Sequence, residues 1–201
     1  MPLYENIIKI VLIVLAILII VVLLIKRFVY FQPSTDFLPY KETYKDISEG
    51  NLHGWLIQRG PKIVIVCHGN AGNISHRQSI IDSLAKLGYS VLIFDYSGYG
   101  RSRGIPSEKQ FYHDASVFVN MMLQQTDKSN IILYGESIGA PVAAFIARKY
   151  QIQTLIIDSG LPSIKKYIEK RYSILGMILG IYLFLLSILD DCVSFFVYLH
   201  E

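Results

Sequence analysis

The sequence predicts an α/β fold in which a mostly parallel sheet carries helices on both faces. Three observations lead there. Short apolar runs alternate with segments of helical spacing, the pattern of strands buried between helices. One run, Asn130-Ile131-Ile132-Leu133-Tyr134, passes through Gly135-Glu136-Ser137-Ile138-Gly139 into a helical segment at residues 140–150. The long uncharged stretches lie at the two ends of the 201 residues, so the middle reads as one soluble domain.

Taken in order, residues 1–31 read as a membrane anchor. Residues 7–25 contain a single charge, Lys9, and nothing polar follows Ile10 up to Ile25. About 20 apolar residues cross a hydrocarbon core, and Lys9 can reach back to the interface. The run ends in Lys26-Arg27-Phe28-Val29-Tyr30-Phe31 and not in a small-residue cleavage site, which predicts an uncleaved signal-anchor with aromatics at the interface. Residues 32–39, with Pro33 and Pro39, read as a linker, and residues 40–160 as the core domain.

Within the core, residues 52–58 form an outer strand and residues 63–67 a buried one. Asn73 or Ser75 caps a helix over residues 75–87 that Gly88 closes. Residues 90–95 give another strand. Pro106, Ser107 and Gln110 start a helix in the capping-box pattern, running to about Gln124. Its Phe111, Ala115, Phe118, Val119 and Met122 recur at helical spacing and belong to the core. Residues 154–158 are one more strand. Residues 161–201 read as a lid-like or second membrane-associated segment, because residues 172–189 are uncharged and apolar.

A Gly-x-Ser-x-Gly between strand and helix is a nucleophile elbow, with Ser137 at the apex of a turn too tight for a Cβ at Gly135 or Gly139. Acyl transfer through a serine also needs two backbone N–H groups aimed at the developing oxyanion. Ile138, after the nucleophile, supplies one. The loop His68-Gly69-Asn70-Ala71-Gly72-Asn73 supplies the other from Asn70, with Gly69 and Gly72 allowing its approach. His68, at a strand end, reads as structural, and Cys67 as a small core residue. Asp95-Tyr96-Ser97-Gly98-Tyr99-Gly100 lacks the Gly-Lys-Ser/Thr of a phosphate cradle.

These stretches, with Phe94-Asp95-Tyr96-Ser97-Gly98-Tyr99-Gly100-Arg101-Ser102 and Pro106-Ser107-Glu108, resemble the α/β-hydrolase superfamily over residues 40–165. More narrowly, they resemble its membrane-anchored Bem46-like branch, with ABHD13- and ABHD17-type serine hydrolases as relatives. The resemblance implies a serine hydrolase without cofactor, acting on an ester, a lipid or an acylated protein; ABHD17-type relatives cleave thioester-linked palmitate. It also implies an acid and a histidine after two further strands. The sequence beyond Asp158 departs from that pattern, which reads as a C-terminally truncated relative lacking the last two strands. Asp190 or Asp191 with His200 has the right order but no intervening strand. His53 lies on an outer strand and His76 and His113 on helices, and Asp158 ends the strand beside the elbow. The alternatives are therefore a non-catalytic binding protein or a truncated gene product, and a protein partner over the open sheet edge.

The net charge of +3 is spread out, with no Lys/Arg run that would suggest nucleic acid. Cys67 and Cys192 form no disulfide framework, and no cysteines and histidines have zinc-like spacing. Lys26 and Arg27 against Lys9 favour a cytosolic domain on a single-pass anchor, as does the sequon Asn73-Ile74-Ser75 beside the oxyanion loop, where a glycan would obstruct the site. Lys165, Lys166, Lys170 and Arg171 would suit a second span with the same orientation.

Overall fold

The computed structural model describes residues 32–160, together with Lys9, Leu12, Ile13 and residues 15–20. In chain order the strands are β1 (Gln32–Pro33), β2 (Lys45–Glu49), β3 (Leu52–Ile57), β4 (Ile63–Cys67), β5 (Ala71–Gly72), β6 (Ser90–Phe94), β7 (Ile131–Glu136) and β8 (Thr154–Asp158). The helices of the domain are α1 (Gln78–Lys86), α2 (Glu108–Leu123) and α3 (Gly139–Tyr150). A six-stranded sheet runs in the order β2-β3-β6-β4-β7-β8. The pairs β6–β4, β4–β7 and β7–β8 are parallel, whereas β2–β3 and β3–β6 are antiparallel. The α/β class and the mostly parallel sheet are as expected.

Alternation along the strands divides the core into two layers. Val64, Val66, Val91, Ile93, Ile132 and Tyr134 join Trp55 and the α1 residue Ile81 on one face. On the other face Phe94 stacks on Phe118 of α2, with ring centroids 4.8 Å apart. The α2 residues expected in the core are all buried. Removing one such aromatic side chain costs about 3–5 kcal/mol, so α2 is held mainly by this face. Ser107 caps α2 through the Gln110 N–H, but the Gln110 side chain turns to Asp114 Oδ1 at 2.8 Å, so the expected capping box is only half made. Asn73, not Ser75, is the cap before α1: its side chain accepts from Ser75 N, and a short 3₁₀ turn at Ile74–Arg77 precedes the helix.

Two expectations are corrected. The strand over residues 52–58 is not outermost, because β2, whose polar Lys-Asp-Ile-Ser-Glu gives no buried-strand signal, lies outside it. His53 is consequently buried. The linker is not free either. Gln32 and Pro33 pair with Ala71 and Gly72, and Asn73 Nδ2 donates to the carbonyls of Ser34 (3.0 Å) and Asp36 (2.8 Å). Among the described residues no helix is long and apolar enough to cross a membrane. Part of residues 7–25 lies outside them, as do all of residues 161–201, with Asp190, Asp191 and His200. The apolar side chains described between Leu12 and Ile20 are exposed.

The β2–β3 hairpin carries a clamp of charges. His53 Nε2 lies 2.8 Å from Asp46 Oδ1 and Nδ1 3.3 Å from Asp95 Oδ2. Trp55 Nε1 and the Tyr40 hydroxyl also donate to Asp46, and Arg101 lies 3.6 Å from it. Burial alone would lower the His53 pKa, but the two carboxylates outweigh it and hold it above its ordinary value. Burial likewise pushes Asp46 up, and its bonds from His53, Tyr40 and Trp55 bring it below the usual carboxylate range. A raised histidine contributes stability that is complete below its unfolded pKa of about 6.5 and is lost as pH rises through the folded value. The urea midpoint of the detergent-solubilised full chain should therefore fall as pH rises above about 6.5, and His53→Gln should flatten that slope. An unchanged slope in the variant would remove His53 as its source.

Candidate functional site

The site forms where β4 and β7, neighbouring parallel strands, both end. Cys67 pairs with Gly135, so the loops after the two strands emerge side by side. Ser137 sits between β7 and α3 with φ +52°, in the left-handed region that costs an L-residue about 1–2 kcal/mol. Two contacts force this turn. A Cβ on Gly139 would lie 2.0 Å from the Cys67 carbonyl oxygen, and one on Gly135 would lie 2.6 Å from Ala140 Cα. Ser137 N donates to the Asp158 carbonyl (3.0 Å), and its own carbonyl accepts from Ala140 N (3.1 Å). The Ser137 side chain is half-buried and, among the described residues, its hydroxyl has no hydrogen-bond partner. Ile138 is the N-cap of α3.

The loop carrying Gly69, Asn70 and Gly72 is held from several sides. Gly69 N donates to Glu136 Oε2 at 3.1 Å, and the same oxygen accepts from Arg77 Nε at 2.7 Å. Arg77 Nη2 donates to the Ala71 carbonyl (2.9 Å), so one guanidinium spans the elbow and the loop. A Cβ on Gly69 would press to 3.2 Å from the Glu136 carboxyl, and Gly72 adopts φ +81°. The Tyr99 hydroxyl donates to Asn70 Oδ1 (2.8 Å), and the Tyr96 hydroxyl to the His68 carbonyl (3.2 Å). Gly69 N–H is thus committed to Glu136. Glu136 and Arg77 were not singled out from the sequence. Their signal was available only as an acid inside the elbow motif and a base one turn beyond the loop, 59 positions apart.

His68 is structural, as read. Its ring is fully buried against Tyr96 and Tyr99, with centroids 4.5 and 5.7 Å away. Nδ1 lies 2.8 Å from the Gly69 carbonyl, which places the proton there, while Nε2 has no partner among the described residues. Burial pulls its pKa down to about 4, so the ring is neutral near pH 7. Cys67 is buried, and burial pushes its thiol up to about 12, which makes it unreactive.

The other histidines among the described residues do not reach the serine. His53 is locked between Asp46 and Asp95. His76 shares the Asn73 cap, and His113 is exposed on α2 beside Gln110. Asp158 is close, as expected, but through its backbone. Its carboxylate accepts from the Tyr134 and Ser159 hydroxyls, and these bonds, Tyr134 first, hold its pKa below the usual range. Residues 32–160 therefore bring Ser137 and the segments carrying Ile138 and Asn70 to the same end of the sheet, and none of the described histidines is held at Ser137.

Comparison with known proteins agrees with this geometry. Residues 59–188 match the family described as serine aminopeptidase, S33. An uncharacterized protein (MT2364) of Mycobacterium tuberculosis is 34% identical over 155 residues, covering 69% of this chain and 54% of the relative. An uncharacterized membrane protein (YNL320W) of Saccharomyces cerevisiae is 32% identical over 151 residues, covering 71% of this chain and 53% of the relative. The esterase Pf2001 of Pyrococcus furiosus superimposes with a TM-score of 0.54 at 28% identity, over 64% of this chain and 55% of that one. The chain spans about half the length of the curated relatives it matches. With the strand–elbow–helix geometry and the matched region taken together, the chain belongs to the serine aminopeptidase, S33 family of the α/β-hydrolase superfamily.

Proposed function

We propose that this chain is a membrane-anchored serine hydrolase of carboxylic esters, lipids or S-acyl thioesters that works through an acyl-enzyme on Ser137. The observation that carries this reading is Ser137 held at φ +52° by glycines that admit no Cβ. Backbone strain of this kind persists only where the surroundings enforce it, and it presents the hydroxyl at the open end of the sheet. Ser137 Oγ attacks the acyl carbonyl as the carbonyl electron pair moves onto oxygen, where the Ile138 and Asn70 amides receive it. Collapse expels the alcohol or thiol, and water then releases the acid. The chain is anchored by residues 7–25, with the hydrolase domain on the cytosolic side.

The Oγ proton needs a base. Four of the five histidines have other contacts, which leaves His200, or a histidine outside this sequence. That absence among the described residues favours a second reading, a binding protein that keeps the pocket without turnover. Exposed Ile156 and Ile157 on β8 support a protein surface against that edge.

Fluorophosphonate labelling of the full chain in membranes decides between the two. The enzyme reading expects labelling that disappears in Ser137→Ala. Absence of labelling in a folded chain would sink catalysis and favour the binding reading. Loss of labelling in His200→Ala alone would give that residue the base's role.

Two further variants probe how the site is built. Glu136→Gln keeps the shape but breaks the ion pair with Arg77; labelling should slow about tenfold, or ~1.4 kcal/mol, while the melting temperature changes little. A large fall in melting temperature would make Glu136 a folding residue instead. Ser137→Gly should raise stability by about 1 kcal/mol in urea titration, because glycine adopts this backbone freely. No gain would show that the turn is unstrained.

A further inference from the structure

The segment that joins the anchor to the domain is built into the oxyanion loop. Besides the pairing of Gln32 with Ala71, Ser34 N donates to the Gly72 carbonyl (3.3 Å) and Gly100 N to the Ser34 carbonyl (3.0 Å). Leu38 N donates to Ser75 Oγ (2.9 Å), and the fully buried Asn73 holds two strap carbonyls with its one amide. Phe37 closes the strap from the other side, under the Arg101 guanidinium (4.3 Å) and against Trp55 (5.8 Å). Residues 32–40 therefore belong to the same rigid body as the loop that presents Asn70.

Paired strands lie about 4.8 Å apart and consecutive Cα atoms 3.8 Å. Gln32, opposite Ala71, thus lies within roughly 9 Å of Asn70. Between the apolar run that ends at Ile25 and Gln32 stand only Lys26-Arg27-Phe28-Val29-Tyr30-Phe31. Even fully extended, this tether spans at most about 25 Å, and its basic and aromatic residues are those that settle in the headgroup layer. The opposite end of the sheet, where Lys128 precedes β7, is a strand length away, roughly 20 Å further from the site.

We propose that the strap at residues 32–40 docks the Ser137 mouth of the domain against the bilayer, so that the site takes acyl groups presented at the membrane surface. This rests on the anchor assigned under Proposed function. The docked face is the C-terminal end of the parallel strands, and its occupant is the lipid headgroup layer. Orientation comes from the strap bonds and the short tether together: a long tether would let any face meet the membrane, and a loose strap would let the domain swing.

The test uses the full chain with Cys192→Ser, reconstituted into phosphatidylcholine vesicles that carry a headgroup-attached quencher. Buried Cys67 stays unlabelled, and a fluorophore is placed at either Thr35→Cys or Lys128→Cys, both exposed positions. Quenching at position 35 should exceed that at position 128 at least threefold. A flexible Gly/Ser insert of 20 residues between Phe31 and Gln32, with a reach of about 25 Å, should abolish the difference. Equal quenching in a chain that floats with the vesicles overturns the orientation and leaves the anchor standing. A chain that does not float overturns the anchor, and the inference with it. A difference that survives the insert overturns the strap and tether as its cause.

Discussion

The carboxylate of Asp95 is the constraint on which the arrangement depends. It is fully buried at the end of β6 and accepts from three separate segments: Ile74 N (3.0 Å), Arg101 N (3.2 Å) and His53 Nδ1 (3.3 Å). A buried carboxylate without partners would cost several kcal/mol, and these contacts offset that cost. The demand propagates. Gly100 is required because a Cβ would lie 2.1 Å from Asp95 Oδ2, and Ser102 Oγ donates to the Asp95 carbonyl while receiving His53 N. The β2–β3 hairpin, the turn into α1 and the β6 loop are thus fastened to one charge. The Gly69–Gly72 loop leads into Ile74 and hangs from the same point.

A second charge acts at the elbow, and the two differ in how they are compensated. Glu136 stands next to Ser137, the proposed nucleophile, where a bare carboxylate would repel an oxyanion. Arg77 meets it at 2.7 Å and cancels most of that field. What remains of the carboxylate is its hydrogen bond to Gly69 N, which fixes the loop's distance from the elbow. The ion pair therefore adds position without adding net charge. The gain in geometry outweighs the modest worth of a partly exposed pair in itself.

The sequence was legible where sterics or burial dictate it. The elbow reads directly because its glycines answer contacts of 2.0 and 2.6 Å, and β4, β6, β7 and β8 read as apolar runs within two residues of their ends. What was missed has polar causes. β2 faces solvent and carries no apolar alternation, so the sequence places His53 on an outer strand. The strap reads as a linker on its prolines, although its order comes from side chains far along the chain, Asn73 and Ser75 above all. The Glu136–Arg77 brace has no local period that could announce it.

These features fit one division of labour. The turn at Ser137 is strained, and strain is kept only by rigid surroundings. Here rigidity comes from two places: strand packing beneath Ser137, and polar fastening around the loop that faces it. Packing alone would fix the elbow and leave the loop after β4 free, since Gly69 and Gly72 give it little side-chain contact of its own. Small residues that let a backbone approach the reacting carbonyl also remove the apolar surface that would hold it. The loop must then be held by hydrogen bonds from its neighbours, and Glu136, Arg77, Tyr96, Tyr99 and the strap supply them. Glycine content in the loop and charge density around it are two sides of one requirement.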